Sequence, residues 1–147
     1  MEKKKVAITT GVFDCFHEGH ANLLRAMKER ADHIVIFIHD DLSTYTNKRR
    51  FPIQNVEHRS RNIRSIAGSM ALIMPVFSAN PGTEIATYIL GHFQTAERIK
   101  HELVYMRGDD WPNFPGRPEL EKIGVPIELI KYTEGVSTTQ IRAEKGI

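Results

Sequence analysis

Five short apolar runs recur along the chain, and longer stretches separate them. Each run is short and continuous, as buried strands are, and the stretches between the runs are long enough to form helices. Strands that alternate with helices indicate a parallel sheet covered by helices on both faces. The sequence therefore predicts an α/β fold of about five β-α units, with strands near 6–9, 34–38, 71–76, 103–106 and 127–130.

The stretches between the runs carry helical signals. Residues 21–28 and 56–69 repeat apolar positions at helical spacing, and the second of these stretches is strongly basic. A further helix is expected near 84–90, after a Pro-Gly break. The last helix is expected to begin near Ser137 or Thr138, because serine and threonine are good N-cap residues.

Two segments, 40–55 and 108–118, fit neither pattern and are predicted to be irregular. They follow the second and the fourth predicted strands, at the edge of a parallel sheet where ligands bind. Loops of this length in a compact domain are more often functional or mobile than merely connective. We therefore expect both segments to contribute to function.

Length and composition narrow the class of protein. With 147 residues, 41% of them hydrophobic and 26% charged, the chain is expected to form one domain over residues 1–147. A net charge of +2 is a weak footprint for nucleic-acid binding, and the apolar runs are too short to cross a bilayer. Cys15 is the single cysteine, and the N-terminus does not resemble a signal peptide. We expect a cytoplasmic protein with no nucleic-acid partner and no membrane insertion.

The segment TTGVFDCFHEGHANLL, residues 9–24, leaves the first predicted strand and enters a helix. Gly11 permits a tight turn, and Gly19 lets a ligand approach the start of the helix closely. Free N–H groups and the helix dipole favour an anion there. His17 and His20, three residues apart, project from one face of the first turn. Together these features predict a phosphate site.

Two other interpretations of this segment are weaker. The histidines could be ordinary surface residues, but two of them flanking a glycine at a strand-to-helix junction favour a functional role. Zinc could bind His17, His20 and Cys15, yet the sequence has no second cluster at metal-ligand spacing. We therefore expect no metal bound by protein side chains.

Four motifs in the same order resemble those of the cytidylyltransferase-like nucleotidyltransferases. They are GVFDCFHEGH at 11–20, EHR at 57–59, MRGDDW at 106–111 and TEGVSTTQIR at 133–142, and the third is similar to that of glycerol-3-phosphate cytidylyltransferases. The resemblance implies a Rossmann-like, doubly wound sheet and attack by a substrate phosphate on the α-phosphorus of a nucleoside triphosphate. It also implies release of pyrophosphate, magnesium bound with the triphosphate, and a homodimer.

The resemblance also implies roles for individual residues. Asp14 is expected to brace the loop at least as readily as it touches substrate. The expected catalytic residues are His17, His20, Lys48 and Arg59. The expected nucleotide-binding residues are Gly11, Val12, Phe13, Gly19, Asp110, Trp111, Ser137 and Thr138, with further contacts to phosphate or acceptor from Arg50, Lys131 and Arg142.

Two arginines of the glycerol-phosphate enzymes are missing from this chain, where Ala67 and Tyr132 stand in their places. Their loss is not conservative, since other side chains cannot copy the bidentate guanidinium. Lys131, Arg64 or Arg142 could compensate. The acceptor is therefore expected to differ from glycerol 3-phosphate or to bind in another pose.

These features support a leading hypothesis and two alternatives. The leading hypothesis is a cytidylyltransferase that uses CTP and a phosphorylated alcohol or polyol to make a CDP-alcohol. The first alternative is an adenylyltransferase that uses ATP with a phosphorylated sugar or riboflavin phosphate. The second is a nucleotide-binding homologue without turnover.

Overall fold

The computed structural model describes residues 3–77, 81–93, 101–110 and 112–131. Five strands and five helices alternate through these ranges. The strands are β1 (Lys4–Gly11), β2 (His33–His39), β3 (Leu72–Val76), β4 (His101–Gly108) and β5 (Ile127–Ile130), and the helices are α1 (Glu18–Arg30), α2 (Asp41–Lys48), α3 (Val56–Ala67), α4 (Pro81–Phe93) and α5 (Arg117–Lys122). The helix predicted after Ser137 or Thr138 lies outside the described residues.

The five strands form one parallel sheet in the order β3-β2-β1-β4-β5. The chain moves outward from β1 to β3, then returns to the other side of β1 for β4 and β5. In such a doubly wound sheet the order reverses between β1 and β4, and ligands bind beyond the carboxyl ends of these strands. The predicted α/β fold with a doubly wound parallel sheet is confirmed.

Alternating residues of the strands build two separate cores, one on each face of the sheet. Val6, Ile8 and Tyr105 pack on one face, beneath α4 and α5. Ala7 and Met106 pack on the other face, beneath α1 and α3. We call these the α4 face and the α1 face. The helices on both faces match the prediction and place the end of β1 between two layers.

The segment 40–55 is predicted to be irregular, but the structure shows that it contains helix α2. The Asp40 carboxylate caps this helix by accepting from the Ser43 N–H at 2.6 Å. Arg49 is the C-cap residue that follows the helix, and its φ of 60° lies in the left-handed region. The sequence of α2 is too polar to show an apolar repeat. The N-cap residue Asp40 was therefore the available sequence signal for this helix.

Helix α4 begins earlier than predicted. The Pro81-Gly82 pair predicts a break before the helix, whereas α4 begins at Pro81 itself. Proline is tolerated in a first helical turn because its missing N–H has no partner to lose there. The amino end of α4 therefore reaches the carboxyl edge of the sheet.

Candidate active site

The loop after β1 has an unusual backbone that Asp14 holds in place. Phe13 and Cys15 have φ angles of 57° and 48°, in a region that side chains other than glycine rarely occupy. Between them the buried Asp14 carboxylate accepts from the N–H groups of Ile53 and Gln54, at 2.8 and 3.0 Å. These two bonds offset the backbone strain and confirm that Asp14 braces the loop.

Gly11 is required by the same loop. A Cβ on this residue would lie 2.9 Å from the ring of Phe13, which folds back over it. Phe13 in turn is buried in the core of the α1 face. The absence of a side chain at Gly11 therefore leaves room for the Phe13 ring, which anchors the loop.

His17 and His20 form the amino-terminal cap of α1. The His17 Nδ1 atom accepts from the Gly19 N–H at 3.1 Å, and the His20 Nδ1 atom accepts from the His17 N–H at 3.2 Å. This is a reciprocal capping box in which two imidazoles replace the usual serine and glutamate. The two rings stack with their centroids 3.8 Å apart.

The cap determines which ring nitrogen carries the proton. An Nδ1 atom that accepts a hydrogen bond has no proton, so each neutral ring carries its proton on Nε2. Burial also lowers the pKa of His17, which favours its neutral form. At pH 7 His17 therefore offers an Nε2–H donor beside the positive end of the helix dipole, and the neutral form of His20 offers a second.

Arg59 is a buried link between four segments of the site. Its Nη1 atom donates to the carbonyls of Val12 and His39, at 2.7 and 2.8 Å. Nη2 pairs with the Asp41 carboxylate at 2.6 Å, and Nε donates to the Gln54 carbonyl at 2.9 Å. The guanidinium is completely buried and faces protein oxygens. The arrangement differs from the predicted catalytic contact, because in this structure Arg59 positions the loop around Val12.

A cavity of about 550 Å³ lies at the carboxyl ends of β1, β2 and β4, on the α4 face of the sheet. Gly11 and Val12 of the loop form part of its wall, whereas His17 and His20 lie outside it. The loop therefore lies between two parts of the candidate site. We call the pair of His17 and His20 the first half-site and the cavity the second half-site. The other lining residues are Thr10, His39, Thr44, Pro81, Gly82, Ile85, Tyr105, Arg107, Asp110, Phe114, Pro115, Gly116 and Leu120.

Arg107 lines this cavity, and sequence reasoning did not single it out. It continues the alternation of Leu103 and Tyr105 along β4, which faces the α4 side. Its guanidinium carbon lies 5.0 Å from the centre of the Phe114 ring, within the range of a cation–π contact. The alternation was the signal that could have identified Arg107.

The remaining predicted residues fall into three groups. Asp110 lines the cavity, and Gly19 donates to the His17 cap. Arg50 and Lys131 are exposed, after α2 and after β5 respectively. Lys48 ends α2, but its side chain lies outside the described residues, as do Trp111, Ser137, Thr138 and Arg142.

Two ideas about the missing arginines need correction. Arg64 is one of three residues that could compensate for them, but it donates to the carbonyls of Ser69 and Ala71, at 3.2 and 2.9 Å, and so serves the turn after α3. Ala67 packs in the core of the α1 face, away from the cavity. The cation that lines the cavity comes from β4 instead. Tyr132 lies outside the described residues.

The sequence matches the model of the cytidylyltransferase-like family over residues 8–144. The match begins within β1 and continues through β5. It therefore covers both half-sites and almost the whole chain.

Two curated relatives show how the chain compares with characterised proteins. It is 29% identical over 132 residues to an FAD synthase of Thermococcus kodakarensis, which covers 88% of this chain and 81% of that protein. It is 30% identical over 140 residues to the bifunctional protein HldE of Desulfatibacillum aliphaticivorans, covering 94% of this chain but 26% of that protein. The chain thus spans about a quarter of the bifunctional relative.

Solved structures support the fold. A lipopolysaccharide core biosynthesis protein from Thermoplasma volcanium superposes with a TM-score of 0.58 at 19% identity, covering 88% of this chain and 97% of that one. A bifunctional NMN adenylyltransferase/ADP ribose pyrophosphatase from Francisella tularensis, complexed with AMP and a manganese ion, superposes with a TM-score of 0.70 at 15% identity. It covers 98% of this chain and 42% of that one.

Proposed function

The chain belongs to the cytidylyltransferase-like family, and from this premise we propose that it transfers CMP from CTP to a small phosphorylated alcohol or polyol. A phosphate oxygen of the acceptor attacks the α-phosphorus of CTP, the bond to the β-phosphate breaks, and pyrophosphate leaves. The product is a CDP-alcohol. The observation that carries nucleotidyl transfer is the stacked pair of His17 and His20 at the start of α1, where Nδ1 of each ring serves the helix cap and His17 can present its Nε2–H to a ligand.

The first half-site is suited to a triphosphate. The oxygens of the triphosphate would meet the positive end of the α1 helix dipole, the Nε2–H donor of His17 and the ring of His20. Donors that are already in position stabilise the charge that grows on the non-bridging oxygens during transfer. Removing one such donor typically lowers kcat by about 10²–10³-fold.

The second half-site, the cavity, is suited to the acceptor. Arg107 supplies a cation for its phosphate, and Gly11 and Val12 separate the two half-sites by a single loop. An acceptor phosphate near this loop would face the α-phosphorus with little motion, and such positioning supplies much of the rate of in-line transfer. Because the nucleophile is already an anion, no general base is needed.

Magnesium enters with the nucleotide. Both oxygens of Asp14, the carboxylate within the loop, accept backbone N–H groups, so this residue does not suit a metal ligand. The ion would instead be held by phosphate oxygens and water, as is usual for Mg²⁺ with nucleotides. Its charge would balance part of the triphosphate.

ATP is the second candidate nucleotide. CTP is favoured by the GDDW and TEGVSTT motifs, whereas the names of an FAD synthase and an NMN adenylyltransferase among the similar proteins favour transfer of AMP. Asp110 belongs to the motif that points to cytosine, since a carboxylate can accept from its exocyclic N4 amine. Because Asp110 also lines the cavity, we propose that the base and the acceptor share it, the base at Asp110 and the acceptor phosphate at Arg107. The histidine pair acts on phosphates and serves either base.

The decisive experiment measures pyrophosphate release from CTP and from ATP with a panel of phosphorylated alcohols, polyols, sugars and riboflavin phosphate. We expect release with CTP and at least one acceptor, and a large loss in His20→Ala. Turnover with ATP but not with CTP would identify the protein as an adenylyltransferase instead. Nucleotide binding without release from either triphosphate would identify a non-catalytic homologue.

The expected assembly and location remain proposals. We propose a homodimer in the cytoplasm, on the basis of the family resemblance. Among the residues that the structure describes, no helix is long and apolar enough to cross a membrane.

A further inference from the structure

Gly108 is the last residue of β4 and stands two residues before Asp110. Its φ angle lies outside the left-handed region, so the backbone conformation does not require a glycine here. In a strand, such a glycine often marks a place where another group approaches the backbone closely. The group that lies where its side chain would be therefore indicates what this glycine does.

The Asp110 carboxylate occupies the space that a side chain on Gly108 would fill. A Cβ on Gly108 would lie 2.7 Å from Asp110 Oδ1 and 3.9 Å from Asp110 Cγ. Apart from its two chain neighbours, it would meet no other atom within 4 Å in the part of the chain that the structure describes. A larger residue at position 108 must therefore displace this carboxylate, and little else.

The alternation of β4 shows on which face of the sheet this carboxylate lies. Val104 and Met106 belong to the core of the α1 face, and Gly108 continues their alternation to the end of the strand. Asp110 Oδ1 therefore lies toward the α1 face, which is the face that carries the first half-site. Since Asp110 also lines the cavity on the α4 face, this residue stands where the two half-sites meet.

The Asp110 carboxylate has the chemistry to distinguish two pyrimidine bases. Asp110 is exposed, so a ligand can reach its side chain. An ionised carboxylate accepts hydrogen bonds and cannot donate one. Cytosine presents an amine at position 4 of its ring, whereas a base of the thymine and uracil type presents a carbonyl oxygen there. A carboxylate held opposite this position attracts the amine and repels the oxygen.

We propose that Gly108 is a positioning residue for selection of the base. Because it has no side chain, the Asp110 carboxylate can fold back over the end of β4, where it accepts from the N4 amine of CTP and disfavours UTP. This inference rests on the proposed function, in which Asp110 binds the base. It adds a residue that acts through Asp110 and names the pair of nucleotides that the site distinguishes.

The test is calorimetric binding of CTP and of UTP to the full chain, with magnesium and without an acceptor. The two nucleotides have the same size and the same triphosphate, so their difference in affinity reports on the base alone. We expect CTP to bind at least about ten-fold more tightly than UTP, as is typical for a hydrogen bond to a charged group. Equal binding of the two nucleotides overturns the inference, and so does failure of CTP to bind.

Gly108→Ala tests the positioning role. It should weaken CTP about ten-fold and leave UTP unchanged, so that the ratio of the two affinities approaches one. Gly91→Ala, whose Cβ would meet no atom within 4 Å, is the matched control and should keep the ratio of the unsubstituted protein. The thermal midpoint of Gly108→Ala should not fall, because an exposed side chain is all that must move. An unchanged ratio in Gly108→Ala overturns the inference.

Asp110→Asn tests whether Gly108 acts through the carboxylate. An amide can donate as well as accept, so this variant should bind CTP and UTP about equally. Adding Gly108→Ala to Asp110→Asn should then change the ratio no further, whatever its effect on the thermal midpoint, and a further change overturns the inference. Because these measurements need no acceptor, failure of the proposed function shows separately, as absence of pyrophosphate release with every acceptor.

Discussion

The imidazoles of His17 and His20 stack 3.8 Å apart, and each uses its Nδ1 atom to accept a backbone N–H at the start of α1. The capping bonds set the tautomer of each neutral ring, so Nε2 carries the proton. Under the proposed function the pair would perform two tasks, stabilising the helix and presenting the His17 Nε2–H to a phosphate. The two tasks can be separated by substitution.

Replacing His17 with asparagine should preserve the cap and remove the Nε2–H donor. Asparagine is among the best N-cap residues, so the free energy of unfolding of His17→Asn should fall by less than about 1 kcal/mol. Its kcat should fall by about 10²–10³-fold. Urea unfolding and pyrophosphate release measure the two effects. His58→Asn, at an exposed position on α3, is the control. A fully active His17→Asn would show that the ring only caps the helix.

Stability should depend on pH through His17. Burial lowers the pKa of this imidazole in the folded state, so below about pH 6.5 the unfolded chain binds the proton more readily than the folded one. The folded protein should therefore lose stability as pH falls from about 6.5 toward the lowered pKa, and should gain none above it. Denaturation midpoints between pH 5 and 8 should vary less in His17→Asn, and identical profiles would contradict the assignment.

Arg59 should be essential for the shape of the site although it lies outside both half-sites. Arg59→Gln leaves the Asp41 carboxylate and three carbonyls without their donor, and losses of this kind cost about 3–5 kcal/mol. KM should rise for both substrates, since Val12 and His39 would both shift. Arg61→Gln, exposed on the same helix, should change stability by less than about 0.5 kcal/mol. A variant with normal stability but no turnover would instead indicate a direct catalytic contact.

Gly82 should be intolerant of a side chain because α4 and the residue before α5 meet at their backbones. A Cβ on Gly82 would lie 2.2 Å from the Cα of Gly116, so Gly82→Ala must push apart two segments that line the cavity. We expect a loss of about 1–3 kcal/mol and weaker acceptor binding. Gly91→Ala in the same helix meets no atom within 4 Å and should stabilise the protein by about 0.5–1 kcal/mol. Thermal unfolding of the two variants makes the comparison, and equal midpoints would disprove the contact.

Much of the fold was predictable because it depends on local pattern. Apolar runs of four to six residues marked every strand, and each observed strand contains most or all of its predicted run. The polar helix α2 was missed, because its evidence was the cap at Asp40 and not an apolar repeat. The start of α4 at Pro81 was missed because Pro-Gly normally signals a turn.

Within the site, the sequence by itself determined the loop after β1 and the capping pair of His17 and His20, since these depend on neighbours close in the chain. The brace at Asp14 also needed the tertiary structure, because its partners Ile53 and Gln54 come from a distant segment. Only the tertiary structure decided the roles of Arg59 and Arg107. Arg59 became a buried link because three acceptors distant in sequence, at Val12, His39 and Asp41, converge on it. Arg107 entered the cavity because the pairing of β4 with β1 brings its face of the sheet beside Thr10. Such relationships arise when the strands assemble, because the alternation along β4 gives the face on which Arg107 lies but not the residues beside it.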